Sequence, residues 1–277
     1  MNDQLFSISM DGIYIPAQKP QKNCQDYCII GEDDDFPYFI LSDGCGSSKD
    51  TDIGARLLCH SAKEILQNEK KLNERLTLDY FKSSIIRLSN INCEYMGLKR
   101  DCLDATLMIS FIESGHIHNS IFGDGSIIAI DKNEKINYFS SISFEHNAPY
   151  YLSYLLDKER DERYKKLVIN KRVKIYGDEI LPIEYEDSSY LPMLGSYELN
   201  KLSAFFMTSD GIESFYNYKT GEKVPSLEIV RELISIKSKK GEFLKRRVKR
   251  MMEDLSKRDI YNSDDLSVCA FLIEENK

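Results

Sequence analysis

Net positive charge, paired cysteines and long apolar runs are all scarce in this sequence. Its 277 residues carry 37 Lys and Arg against 45 Asp and Glu, a formal net charge of -8. Nucleic-acid binding normally needs a basic stripe dense enough to displace counterions from phosphates, so that class drops out. Seven cysteines (Cys24, Cys28, Cys45, Cys59, Cys93, Cys102 and Cys269) form an odd set with no Cys-x-x-Cys pair. Neither a zinc site nor a disulfide framework is indicated, and a reducing cytoplasm fits best. No stretch approaches the roughly 18 apolar residues of a membrane span. The opening MNDQLFSISMDGIY also lacks a basic segment followed by an apolar core, so a soluble, unexported protein is expected. Low-complexity linkers and internal repeats are absent as well, and a single domain over residues 1–277 is expected.

What is present is a series of short strand-like stretches bounded by Gly, Asp or Asn. They run over Leu5 to Ile15, Tyr27 to Gly31, Phe36 to Leu41, Ala105 to Ile112, His116 to Phe122, Ser126 to Ile130, Leu202 to Thr208 and Leu266 to Ile273. Helical periodicity predicts a helix capped by Thr51 or Asp52, a second capped by Thr77, and a third from about Pro149 to Lys166. Asn147 could cap the third. Two more are expected over Ser226 to Ile236 and Glu242 to Lys257, the second carrying KRRVKR as a solvated face. This order lacks strict strand-helix alternation and predicts an antiparallel α+β sandwich. The segment 168–195 mixes strand-like pieces with charged turns, and an irregular flap is expected at about residues 140–200.

Three apolar stretches adjoin Asp-Gly pairs: Asp43-Gly44, Asp124-Gly125 and Asp210-Gly211. A fourth case is inverted, with Asp264 and Asp265 preceding LSVCAFLI, a strand apolar on both faces and so central. A weaker fifth is Cys24-Gln25-Asp26 before its strand. Each Asp-Gly taken alone is more often a turn. Their repetition at strand ends instead suits hard divalent cations, which need oxygen ligands on rigid elements. Two such cations can activate one water for in-line attack on a phosphoryl group.

With these residues in place the sequence resembles the metal-dependent protein serine/threonine phosphatases of the 2C type over nearly its whole length. Six motifs carry the resemblance in order: Cys24-Gln25-Asp26, Asp43-Gly44-Cys45-Gly46, Asp104-Ala105-Thr106-Leu107, Gly123-Asp124, Ser209-Asp210-Gly211 and Asp264-Asp265-Leu266-Ser267. The resemblance implies a four-layer α-β-β-α sandwich, two packed antiparallel sheets flanked by helices. It also implies hydrolysis of phosphoserine or phosphothreonine on proteins, opposing a serine/threonine kinase, through a water bridging two Mn²⁺ or Mg²⁺ ions. Asp43 would bridge both cations and the Gly44 carbonyl would bind the second. Asp210 and Asp264 would complete the shell of the first, with Asp26 reached through a water, and Asp124 would share a third, weaker cation with Asp210.

The sequence departs from the family pattern at two places. Cys45 stands where some relatives have His as a general acid, which leaves water or no acid. Upstream, only Lys19 and Lys22 offer charge for the substrate phosphate, where relatives often carry Arg or His. These departures give some weight to an alternative, a pseudophosphatase acting as a regulatory binding module. An aspartyl-nucleophile phosphohydrolase would need an Asp-x-Asp pair after its first strand, and only Asp33-Asp34-Asp35 fits, better as a turn. No Gly-x-x-x-x-Gly-Lys-(Ser/Thr) loop occurs. His116 and His118 would share a strand face as a surface pair. Glu145, His146 and Asn147 resemble a Glu-x-Asn of bacterial relatives that packs a flap near the substrate.

Overall fold

The structure, a computed structural model, describes residues 6–19, 23–31, 36–72 and 77–276. In chain order the strands and helices are β1 (Phe6–Ile15), β2 (Tyr27–Gly31), β3 (Tyr38–Ser42), α1 (Thr51–Leu72), α2 (Leu78–Tyr95), β4 (Leu107–Glu113), β5 (His116–Phe122), β6 (Gly125–Asp131) and β7 (Ile136–Phe144). They continue with α3 (Lys158–Lys166), β8 (Lys171–Tyr176), β9 (Ile183–Asp187), β10 (Met193–Glu198), β11 (Leu202–Thr208), β12 (Phe215–Asn217) and β13 (Glu222–Lys223). The chain closes with α4 (Ser226–Ile234), α5 (Phe243–Ser256), β14 (Ile260–Asn262) and β15 (Leu266–Glu275).

Seven strands form one antiparallel sheet in the order β1-β15-β11-β6-β7-β8-β9, and five form another in the order β10-β5-β4-β3-β2. A small third sheet, β13-β12-β14, lies apart from them in pairing. The period of two along each strand decides the layers. In β3, Phe39 and Leu41 enter the core between the sheets, whereas Tyr38 and Ile40 pack under α1 and α2. In β15, Cys269 and Phe271 face the inter-sheet core, and Val268 and Ala270 pack under α4 and α5. β15 is thus central and buried on both faces, as its continuous apolar run predicts. Phe39 and Phe271 meet across the sheets with ring centroids 4.4 Å apart. Burying one such ring contributes about 1.5–3 kcal/mol. The result is the expected four-layer α-β-β-α arrangement.

The helices form where one face is apolar at steps of three and four. Ala55, Leu58, Cys59, Ala62 and Leu66 bury one side of α1, and Leu244, Val248, Met251 and Leu255 do the same for α5. Thr77 caps α2 by accepting from the Tyr80 amide at 3.3 Å. In α5, Lys245, Arg246, Lys249 and Arg250 are exposed, so most of KRRVKR is a solvated face.

The structure departs from the sequence reading at several elements. No single helix spans Pro149 to Lys166. A 3-10 turn over Leu152–Leu156 comes first, and Asp157, extended at φ -137, then caps α3 by accepting from the Arg160 amide. Asn147 therefore caps nothing. Thr51 lies inside α1, and its hydroxyl serves the site described below. The stretch 168–195 is not irregular: it supplies β8 and β9 to the edge of the large sheet and β10 to the edge of the smaller. Asp33, Asp34 and Asp35 lie outside the described residues. His116 and His118 share one half-exposed face, as expected, with ring centroids 6.0 Å apart. Among the described residues no helix is long and apolar enough to cross a membrane.

Candidate metal and phosphate site

Strand register gathers the acidic ends. Thr208 at the end of β11 pairs with Val268 of β15 on one side and Ser126 of β6 on the other. Asp210, Asp264 and Asp124 are each two to four residues beyond these partners, at the same end of the sheet. Asp43 follows β3 and comes from the facing sheet. All four line one cavity of about 390 Å³, together with Gln25, Gly44, Cys45, Thr106, His146, Asn147 and Tyr151. Asp26 stands behind it, 1 % exposed and within hydrogen-bond reach of Asp43.

Each acidic residue is held by its neighbours. The Asp43 amide donates to the Thr106 hydroxyl at 3.0 Å, and the Thr106 amide returns a bond to the Asp43 carbonyl at 2.8 Å. Gln25 donates from its side-chain amide to the Thr51 hydroxyl at 2.6 Å, which donates in turn to the Cys45 carbonyl at 3.2 Å. Gly44 is required by this packing, because a Cβ there would sit 2.8 Å from the Thr51 carbonyl oxygen. Asp26 accepts from the Ser209 hydroxyl at 2.7 Å, and that hydroxyl accepts the Ser267 amide at 3.0 Å. Asp264 accepts the Asp265 amide at 2.9 Å.

Asp265 takes a different part from its neighbour. Its two oxygens accept the Ala17 amide at 2.7 Å and the Gln25 amide at 2.6 Å, tying the first motif to the last. Asp104 is also a brace. Buried at 2 % exposure, it accepts two bonds of 2.8 Å from Arg160, one from Ser153 at 2.6 Å and one from Ser48 at 2.9 Å. It thereby fastens the 3-10 turn and α3 to the loop after Asp43. Sequence reading alone missed the bracing parts of Asp265, Asp104 and Ser209, although all three lie within the six motifs. It also left His146 and Asn147 without a part in the site. Both line the cavity in the left-handed region, at φ 57 and 52. Two successive non-glycine residues in that region are uncommon and mark a constrained segment.

Electrostatically the site is overcrowded with negative charge. Burial pushes the Asp26 carboxyl up to about 7, and Asp265 adds to the shift. Burial and the Asp264 charge push Asp210 up to about 6. Asp43 and Asp124 are also raised, by burial first and then by Asp26 and Asp210 respectively. No Lys or Arg is among the described residues lining the cavity. One oxygen of Asp26 and one of Asp210 are buried with no hydrogen-bond partner. Each such oxygen calls for a proton or a cation.

The donors fit hard divalent cations: carboxylates on rigid strand ends, a glycine carbonyl and no soft ligand set. Among the described residues no group of three or more His, Cys, Asp or Glu side chains is gathered closely enough to hold a metal ion by itself. Mg²⁺ usually keeps several waters, so these carboxylates would supply only part of each shell. Cys45 bonds Ser47 at 3.1 Å; although burial opposes it, bonds from the Ser47 hydroxyl and amide hold its thiol below the usual value.

Of the two lysines expected to grip phosphate, the described one does not line this cavity. Lys19 is not among the lining residues; its ammonium lies 5.0 Å from the Tyr261 ring centre and 6.0 Å from that of Tyr218, where cation-π attraction seats it. Lys22 lies outside the described residues.

Comparison with known proteins agrees with this architecture. No curated protein sequence matches the chain. Among solved structures, a bacterial serine phosphatase is similar at a TM-score of 0.55 and 13% identity, covering 98% of this chain and 100% of its own. The serine/threonine phosphatase Stp1 from Staphylococcus aureus is similar at 0.55 and 13%, covering 97% of this chain and 96% of its own. The catalytic domain of the phosphatase PstP, solved with two manganese ions, is similar at 0.51 and 12%, covering 98% and 100%. At such identities these likenesses show the fold alone. Residues 17–256 match the family described as Protein phosphatase 2C, and the chain belongs to that family.

Proposed function

We propose that this chain is a divalent-cation-dependent phosphatase acting on phosphoserine and phosphothreonine in proteins, as a single domain over residues 1–277 that opposes a serine/threonine kinase. The observation that carries the reading is the crowding of Asp26, Asp43, Asp124, Asp210 and Asp264 around one open cavity with two partnerless buried oxygens. Asp43, the Gly44 carbonyl, Asp210 and Asp264 would hold two Mn²⁺ or Mg²⁺ ions, and Asp124 with Asp210 a third and weaker one. The two manganese ions bound by the PstP catalytic domain, which shares the fold, support a pair of divalent cations. When bound, such cations supply neutralising charge and an acidified water for in-line attack on phosphorus.

The rest of the work falls to the chain itself. Ser209 holds Asp26, and Thr106 and Thr51 hold the loop of Asp43, so the donors keep their aim. His146 and Asn147, which also line the cavity, would bring an imidazole and an amide within its walls as candidate donors to phosphate oxygens. Among the described lining residues there is no Lys or Arg to neutralise a phosphate dianion. Activity should therefore fall steeply when the cation is removed. The free state of all seven cysteines supports a reducing, cytoplasmic setting.

The test is release of phosphate from a phosphothreonine peptide by the purified protein with Mn²⁺, with Mg²⁺ and with a chelator. The expected result is turnover with either cation and none with the chelator. Tight phosphopeptide binding without release in any of the three would return the reading to the pseudophosphatase.

A further inference from the structure

Beside the acidic cavity lies a second one of about 270 Å³ that the phosphatase chemistry does not use. Two pairs of consecutive residues divide the two cavities. Gly123 lines the side cavity while Asp124 lines the acidic one, and Tyr150 lines the side cavity while Tyr151 lines the acidic one. The two cavities therefore share the backbone of both segments as a common wall. An extended chain advances roughly 3.3 Å per residue, so a peptide with its phosphate at Asp124 has a neighbour within about three residues at the side cavity.

The walls of this cavity specify what enters. Phe122, Leu152, Leu155, Leu191, Tyr150 and Tyr190 supply an apolar and aromatic surface. Its two lysines are already matched, Lys82 by Asp79 at 2.6 Å and Lys165 by Asp161 at 2.6 Å, so no net charge is left to select an ion. Lys165 also stacks over Tyr190 at 4.7 Å, and Tyr190 meets Tyr150 with ring centroids 5.3 Å apart. Leu191 is 56 % exposed and Leu155 37 %, apolar surface that gains by being covered. The volume lies below the range of about 300–1,000 Å³ typical of small-molecule pockets, and suits a single side chain.

We infer that the side cavity is the specificity pocket of the enzyme, taking an aliphatic or aromatic side chain of the phosphoprotein within about three residues of the phosphorylated one. This rests on the phosphatase reading and deepens it. The substrate class becomes a phosphoserine or phosphothreonine segment with a large apolar neighbour.

The test uses phosphothreonine peptides that differ only by Leu or Ser at each position within about three residues of the phosphate. Binding and phosphate release are both measured with Mn²⁺. The expected result is a preference for Leu of about tenfold or more at one position, in Kd and in KM with little change in kcat. Leu191→Asp, and separately Leu155→Asp, should bring that ratio close to one. Each variant is read as a ratio between two peptides, so a general loss of folded protein does not imitate the effect. Equal responses to Leu at every position, or a preference that survives both substitutions, would overturn the pocket. Release from a small aryl phosphate by the wild type separates the two readings. Its absence with Mn²⁺ counts against the phosphatase, and the binding ratio then still decides the pocket; its presence without any peptide preference counts against the pocket alone.

Discussion

At the residue scale the site is a division of labour between adjacent acids. Asp264 lines the cavity, whereas Asp265 turns inward to hold two backbone amides of the N-terminal arm. The pair Asp264-Asp265 was legible as acidic, but which member faced the cation was not, because neighbours around a strand start differ only in direction. Asp265→Ala leaves the Ala17 and Gln25 amides without an acceptor in a buried place. A loss of about 1–3 kcal/mol in urea unfolding is expected, with weaker Mn²⁺ binding measured by calorimetry. Unchanged stability would contradict the bracing role. The Lys19 assignment failed for a similar reason: sequence distance from the first motif said nothing about Tyr218 and Tyr261, whose rings seat Lys19 elsewhere.

At the scale of elements, the strands that end in functional acids were the readable ones, since each joins an apolar run to Asp and Gly. β7 was not, because INYFSSISF buries Ser140 and Ser141 where an apolar residue would have shown the alternation. β8 and β9 alternate Lys, Arg and Glu on an outer edge that leaves them half solvated. The aromatic run before α3 mimics an amphipathic helix, and only the capping geometry of Asp157 divides it. The contact of α1 with the turn before β4 gives an element-level prediction. A Cβ on Gly54 would lie 1.7 Å from the Cys102 carbonyl oxygen, so Gly54→Ala must push the helix off that turn. Helix propensity alone would favour Ala by about 1 kcal/mol. A fall in the thermal midpoint, opposite in sign to propensity, is expected; a rise would show that the contact yields easily.

For the whole molecule, two packed sheets bring four strand ends from distant parts of the chain to one rim, and stability is spent on holding like charges there. The sign of the pH dependence follows from the raised carboxyls. Asp26 and Asp210 titrate near 7 and 6 in the metal-free folded chain against 3.8 ordinarily, so the native state binds more protons than the unfolded one between these values. Their stabilising contribution is complete below about pH 4 and is lost as pH rises through 6 to 7. Without cation, the urea midpoint should be lower at about pH 7.5 than at about pH 5. Mn²⁺ at 100 times its dissociation constant should restore about 2.7 kcal/mol at the higher pH. A metal-free midpoint that rises over this window would contradict the crowding of the acids.

The central claim is that Asp210 helps hold the cations on which turnover depends, and phosphate release by Asp210→Asn at saturating Mn²⁺ tests it most directly. The substitution keeps the shape and removes one negative charge from an oxygen that no donor reaches. The account predicts a loss of most activity, about a hundredfold or more, with Mn²⁺ affinity reduced alongside it. Turnover equal to the wild type at saturating Mn²⁺ would contradict it.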